Sequence, residues 1–134
     1  MNEQENINLV KESYERFLKG DIAGVIQMAT DDVEWETPGP SDIPTAGLFK
    51  GKEQVGQFFS KLANTFEPVS FTPQEFIAQN DKVVTLGEYT WRVRSNGRTF
   101  SSKWAHVSTI RNGKFTSFRE YGDTAAAAEA IRGK

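Results

Sequence analysis

Apolar residues recur at Ile7, Val10, Tyr14, Phe17 and Leu18, the spacing of one helix face, which predicts an amphipathic helix over residues 2–18. Gly20 follows as a left-handed stop, and Asp21 as the cap of a shorter helix carrying Ile22, Val25, Ile26 and Ala29. After Asp31-Asp32, residues Val33 to Thr37 alternate like a short strand that Pro38-Gly39-Pro40 ends. Residues 41–51 read as a loop with Phe49 as an anchor, and Val55, Phe58, Phe59 and Leu62 mark a third helix. From residue 70 the period changes to two. Strands are predicted over residues 70–79, 82–94, 98–111 and 114–121, separated by Asn80-Asp81, Asn96-Gly97 and Asn112-Gly113. Asn-Gly is the strongest short hairpin signal. Asp123 or Thr124 caps a final alanine-rich helix ending near Arg132.

Helices followed by a long antiparallel meander define an α+β fold. Two strands of about 13 residues exceed the usual length, and long strands in a small domain bend. The expected architecture is a curved antiparallel sheet wrapped around the N-terminal helices, forming a cone with a central pocket. Residues 1–134 make one domain.

Alternation assigns the faces. Lys82, Glu88, Arg92 and Arg94 share one side of their strand, so Tyr89 and Trp91 point inward with Val83, Thr85 and Gly87. A two-residue turn at Asn96-Gly97 sets Tyr89 opposite Trp104 and Gly87 opposite His106; Phe100, Ser102, Trp104 and His106 then share the inner face. The last hairpin has two readings. A two-residue loop at Asn112-Gly113 pairs His106 with Arg119 and turns Tyr121 and Asp123 inward, whereas a three-residue loop turns Phe118 and Glu120 inward. One residue of slip exchanges the two sets.

Ten phenylalanines, three tryptophans and three tyrosines are enough to fill a core or line an apolar cavity. With no cysteine and a single histidine, neither a thiolate site nor a typical zinc site is expected, and no metal or cofactor is called for. The net charge of −2, with both signs mixed along the chain, gives no electrostatic reason to bind nucleic acid. No apolar run approaches the roughly 20 residues of a membrane span. The polar, acidic start Met1-Asn2-Glu3-Gln4-Glu5 is no secretory signal, so the expectation is a soluble cytoplasmic protein. The one histidine lies in Trp104-Ala105-His106-Val107, an apolar setting for the side chain that most readily changes charge near neutral pH.

Tyr14…Phe17-Leu18-Lys19-Gly20-Asp21, Asp31-Asp32-Val33-Glu34-Trp35 with Pro38-Gly39-Pro40, Gly51…Val55…Phe58-Phe59, Trp104-Ala105-His106-Val107, and Gly113-Lys114 with Phe118-Arg119-Glu120-Tyr121 and Asp123 stand in a specific order over nearly the whole chain. In that order the chain resembles the nuclear transport factor 2-like superfamily, in its SnoaL-like and ketosteroid-isomerase-related branch. The resemblance implies a cone with a deep apolar pocket and a homodimer joined through the outer sheet face. The general-base aspartate of ketosteroid isomerases would fall on Thr37, which cannot do that work. Their enolate-holding tyrosine would fall near Ser13, and their protonated aspartate on His106, which can donate there. Limonene-epoxide-hydrolase-like members place an aspartate at Glu120. Their partner arginine and aspartate would fall on Gly87 and Tyr89, and their pocket tyrosine and asparagine on Trp35 and Thr37, so that hydrolysis is doubtful here. SnoaL-like cyclases use an acid on the last strand, for which Glu120 is the nearest match and Asp123 the second. The comparison favours the register with Phe118 and Glu120 inside.

His106 and Glu120 are thus the candidate catalytic pair, with Glu120 as proton acceptor and His106 as donor to a carbonyl oxygen. The plain alternative for Glu120 is an ion pair with Arg119 or Arg92. Trp35, Thr37, Tyr89, Trp91, Trp104 and Phe118 are the expected walls for a small hydrophobic ligand. The function expected is a cofactor-free isomerase, cyclase or lyase working by acid–base chemistry, the alternative being a non-catalytic ligand-binding or sensor protein. Residues 39–49 could form a lid, and Asp123 reads as a helix cap rather than a base.

Overall fold

The helix faces read from the sequence press into one sheet. The computed structural model describes residues 2–133. Helix α1 (Glu3–Leu18) opens on a reciprocal cap, in which the Asn2 side chain accepts from the Glu5 N–H and Glu5 reaches back to the Asn2 N–H. Gly20, at φ 80°, stops it. The Asp21 carboxylate accepts from the Gly24 N–H at 2.9 Å and starts α2 (Ile22–Gln27). Ala29, expected in that helix, instead begins β1 (Ala29–Thr37), because the chain is already capped at Met28. Residues 41–51 also hold more than a loop. They contain β2 (Gly47–Lys50), whose Phe49 pairs with Trp35 of β1; four residues are too few for alternation to announce a strand.

Helix α3 (Gly51–Thr65) leads into β3 (Phe66–Gln79), β4 (Lys82–Val93), β5 (Thr99–Arg111), β6 (Lys114–Tyr121) and α4 (Thr124–Arg132). β3 starts at Phe66, earlier than the expected residue 70. It tolerates Pro68 and Pro73 because it is an edge strand with irregular pairing beside each of them. The six strands run in the order β2-β1-β6-β5-β4-β3, curved and unclosed, with α1 against β3 and β4 and α3 against β1 and β2. The sheet is mixed rather than wholly antiparallel, since β1 runs parallel to β6. No hairpin links those two strands, so nothing local in the sequence set their relative direction. Among the described residues no helix is long and apolar enough to cross a membrane.

Two registers fix the site. Between β4 and β5, Gly87 faces Trp104 and Thr85 faces His106, two residues away from the expected pairing. The turn is wider than Asn96-Gly97 alone: Val93 pairs with Arg98, and the Gly97 N–H closes on the Val93 carbonyl at 2.8 Å. The Asn96 side chain accepts from the Arg98 N–H and donates to the Ala130 carbonyl, anchoring α4 instead of centring a tight turn. An even shift leaves the faces unchanged. Tyr89, Trp91, Trp104 and His106 are buried on one side and Lys103 is exposed.

The last hairpin combines both readings. Asn112 and Gly113, at φ 52° and 77°, form a two-residue turn with Arg111 opposite Lys114. Ile110 still pairs with Phe115, but Thr109 pairs with Ser117, so Thr116 is an extra residue. This bulge moves the rest of β6 by one. Phe118 is buried as a result, Glu120 stands opposite His106, and Arg119 and Tyr121 are exposed.

Candidate active site

Cross-strand pairing places Thr85, His106 and Glu120 in one row over β4, β5 and β6. Side chains paired directly across a sheet stand about 5 Å apart at Cβ, near enough to bond. His106 Nε2 lies 2.8 Å from Glu120 Oε2, and the Tyr89 hydroxyl donates to Glu120 Oε1 at 3.1 Å. From α1, the Tyr14 hydroxyl lies 2.8 Å from His106 Nδ1. Four side chains therefore form one hydrogen-bonded chain, Tyr14–His106–Glu120–Tyr89. His106 is only 3% exposed, while the Glu120 side chain keeps 24% of its surface. The imidazole is enclosed, and the carboxylate is the more accessible member.

Burial raises the Tyr14 hydroxyl well above its ordinary range; the neighbouring Thr85 hydroxyl opposes this and the Glu120 charge reinforces it. Tyr89 is raised the same way, by burial first and then by the Glu120 charge and its hydrogen bond. Both phenols stay protonated at neutral pH. The Glu120 carboxylate can only accept, so the neutral imidazole carries its hydrogen on Nε2 and donates to it, and Nδ1 accepts from Tyr14. Both ring nitrogens are then committed. The expectation that His106 itself donates to a ligand meets that obstacle, and its route to a ligand runs through Glu120 or Tyr14.

A cavity of about 110 Å³ opens beside this chain. Tyr14, Tyr89, His106 and Glu120 form its polar wall, while Trp35, Trp91 and Phe118 lie on the apolar side. Trp35 and Phe118 stack at 4.0 Å. Trp104 is not on the wall. It stacks behind the imidazole at 3.9 Å, as a support for His106 rather than a ligand contact. Among the described residues no lysine or arginine lines the cavity, so a ligand oxygen there meets hydroxyl donors rather than cations.

Thr37 also lines the cavity, but its hydroxyl donates to the Thr45 carbonyl and pins residues 38–46 against β1. Ile43 of that segment is buried, and Asp42 is gripped by Arg132 of α4 through contacts of 2.5 and 3.1 Å. Phe49, at the far end of the suspected lid, packs edge-on against Phe58. The arginines weighed as partners of Glu120 are engaged elsewhere: Arg119 with Glu36 at 3.3 Å and Arg92 with Glu67 at 2.6 Å. Asp123 is a helix cap, accepting from the Ala126 N–H at 2.9 Å, although it also borders the cavity. Among the described residues, no three histidine, aspartate or glutamate side chains gather into a metal-ligand set.

Two positions explain departures from relatives. A Cβ on Gly87 would stand 2.5 Å from the Trp104 ring and 2.6 Å from the Thr72 carbonyl, so no arginine fits there. Ser13, near which the tyrosine of the ketosteroid isomerases would fall, bonds the Val10 carbonyl at 2.6 Å, and the next residue supplies a phenol. The sequence reading used Tyr14 only as an apolar face position. Its signal was available, because a tyrosine on a buried helix face must find a partner for its hydroxyl.

The SnoaL-like domain model matches residues 10–118. The chain belongs to the SnoaL-like family. An NTF2-like protein of Burkholderia xenovorans LB400 is 37% identical, with 98% of each chain covered and a TM-score of 0.89. TerC, co-crystallised with polyporic acid, is 30% identical over 96% of this chain and 98% of its own, with a TM-score of 0.85. An uncharacterised protein of Mycobacterium tuberculosis is 25% identical over 131 residues, 98% of each chain. The family establishes the fold, and the chemistry has to be argued from the site.

The raised phenols also tie stability to pH. A folded-state value above the usual 10.0 means that, between the two values, the unfolded chain binds fewer protons than the folded one. The stabilisation is therefore complete below about pH 10 and declines above it, by up to about 1.4 kcal/mol per pH unit for each tyrosine. In urea unfolding from about pH 9 to 11, the Tyr14→Phe, Tyr89→Phe double variant should lose stability less steeply than wild type. Parallel pH curves would reject this account.

Proposed function

We propose that this SnoaL-like protein binds a small, hydrophobic, carbonyl-bearing molecule in the cone cavity and moves a proton on it without a cofactor, as an isomerase, cyclase or lyase. The observation that carries the reading is a carboxylate, Glu120, held by His106 and Tyr89 at the wall of a largely apolar cavity. Fixed donors keep a base in one orientation, which is what proton transfer within a bound complex requires. In the reaction, a C–H proton next to the carbonyl passes to a Glu120 oxygen. The bonding electrons move onto the carbonyl oxygen; as Glu120 takes up the proton it needs one donor fewer, and the Tyr89 hydroxyl turns from it to that oxygen. Return of the proton at another carbon gives isomerisation, loss of a β-substituent gives lyase chemistry, and attack on a second carbonyl closes a ring. His106 acts by orienting Glu120.

The cavity volume compares with the roughly 150 Å³ void that takes up benzene in an engineered core, so one ring is the natural ligand size. The likeness to TerC, 30% identical and co-crystallised with polyporic acid, supports a small organic ligand. A second reading, ligand binding without turnover, is favoured by Thr37: it stands where the ketosteroid isomerases resembled have their base, and its hydroxyl is already used.

Cyclic ketones of one ring are the probes. Wild type should accelerate deuterium wash-in next to the carbonyl, and Glu120→Gln should lower that rate at least about 100-fold while binding, followed by tryptophan fluorescence, changes only a few-fold. Equal exchange by both proteins would leave the binding-only reading. We further propose a homodimer through the outer sheet face, where Val84, Leu86, Ala105 and Val107 remain partly exposed. Sedimentation at micromolar concentration should give twice the chain mass, and a monomer would reject the pairing.

A further inference from the structure

Thr85 stands directly across from His106, is fully buried, and has a hydroxyl with no hydrogen-bond partner. Such orphans are uncommon in native interiors and call for an explanation. The hydroxyl sits beside the Tyr14 phenol, close enough to oppose the effect of burial on it, yet no bond of normal geometry joins the two. Tyr14 has a single proton. While it donates to His106 Nδ1, it has none to give Thr85.

Protonation of the imidazole reverses this demand. Nδ1 then carries a hydrogen and needs an acceptor, and the phenol oxygen facing it is the one in place. The Tyr14 O–H must turn elsewhere. We propose that Thr85 is the alternate acceptor: a positioning residue that takes the Tyr14 hydrogen bond when His106 becomes an imidazolium, allowing the buried ring to hold a charge beside Glu120. The step balances simply. Nδ1 gains one proton from solvent, Tyr14 keeps its own, Nε2–H still donates to Glu120, and no bond between heavy atoms changes.

The groups around the ring leave few other charges to consider. Tyr14 faces it from α1 and Glu120 from β6, with Tyr89 of β4 acting through Glu120; Phe71, Trp104 and Phe118 complete the shell without charge. The inference rests on the acid–base reading of this site, in which His106 must hold Glu120 in place in either of its own charge states. Its test needs no ligand, so the two can fail separately.

His106 is the only histidine, so nitrogen-15 NMR reports one imidazole. Thr85→Val keeps the shape and removes the acceptor. Its histidine titration midpoint should move to lower pH by about one unit, a tenfold loss of imidazolium at a given pH. Thr85→Ser should restore the wild-type midpoint. In a Tyr14→Phe background, where there is no phenolic proton to re-partner, Thr85→Val should add no shift. Should Thr85→Val not fold, Thr85→Ala is read by the same criteria. An unmoved midpoint, a shift that serine leaves unrestored, or an equal shift in the Tyr14→Phe background would each overturn the proposal. A loss of ketone exchange in Glu120→Gln would stand whatever the titration shows.

Discussion

The site depends on one bond, from a buried His106 Nε2 to the half-buried Glu120 Oε2. Hydrogen bonds to an ionised partner are the stronger kind, on the order of 1.5–3 kcal/mol net, and breaking one inside a protein strands the other group. The surroundings follow from keeping that bond. Trp104 stacks flat on the imidazole and fixes its plane, and Gly87 gives up its side chain to make room for the indole. Phe118 closes the other flank edge-on at 4.6 Å. Thr116 exists as an unpaired residue in β6, and without it the glutamate would face outward.

A polar chain in an aromatic cone is an unlikely arrangement for stability alone. Every member must be satisfied, because a partly satisfied network is worse than an apolar one. Here the ends of the chain are phenols, each able to give one proton and kept from ionising by burial. The chain therefore has a direction, from Tyr14 through the ring to Glu120, with Tyr89 donating from the other side. The carboxylate receives from both sides and still keeps a quarter of its surface. That leaves an acceptor fixed in orientation and open to a neighbour.

Much of this was legible because parity survives small errors. The β4–β5 pairing was misjudged by two residues, yet Tyr89, Trp91 and His106 kept their predicted face, since an even slip preserves it. The last hairpin could not be read so safely, because an odd slip reverses the face. Its Asn-Gly turn is two residues long, where the favoured register supposed a three-residue loop, and the deciding bulge at Thr116 has no signature of its own in the sequence. Trp104 was placed inside but assigned to the ligand, because alternation tells inside from outside and not wall from support. Tyr14 was missed for a related reason: helical periodicity sees its ring and not its hydroxyl. The parallel pairing of β1 with β6 joins distant segments, which local pattern does not report.

The direction of the hydrogen-bonded chain is the claim on which base, support and donors all rest. It is tested by the tautomer of the single imidazole, read from nitrogen-15 shifts and ring-proton couplings with the histidine neutral. The account predicts hydrogen on Nε2, with an exchange-protected proton directed at Glu120 and an unprotonated Nδ1 facing Tyr14. A neutral ring carrying its hydrogen on Nδ1 would contradict it, because Glu120 would then have lost the donor that holds it in place.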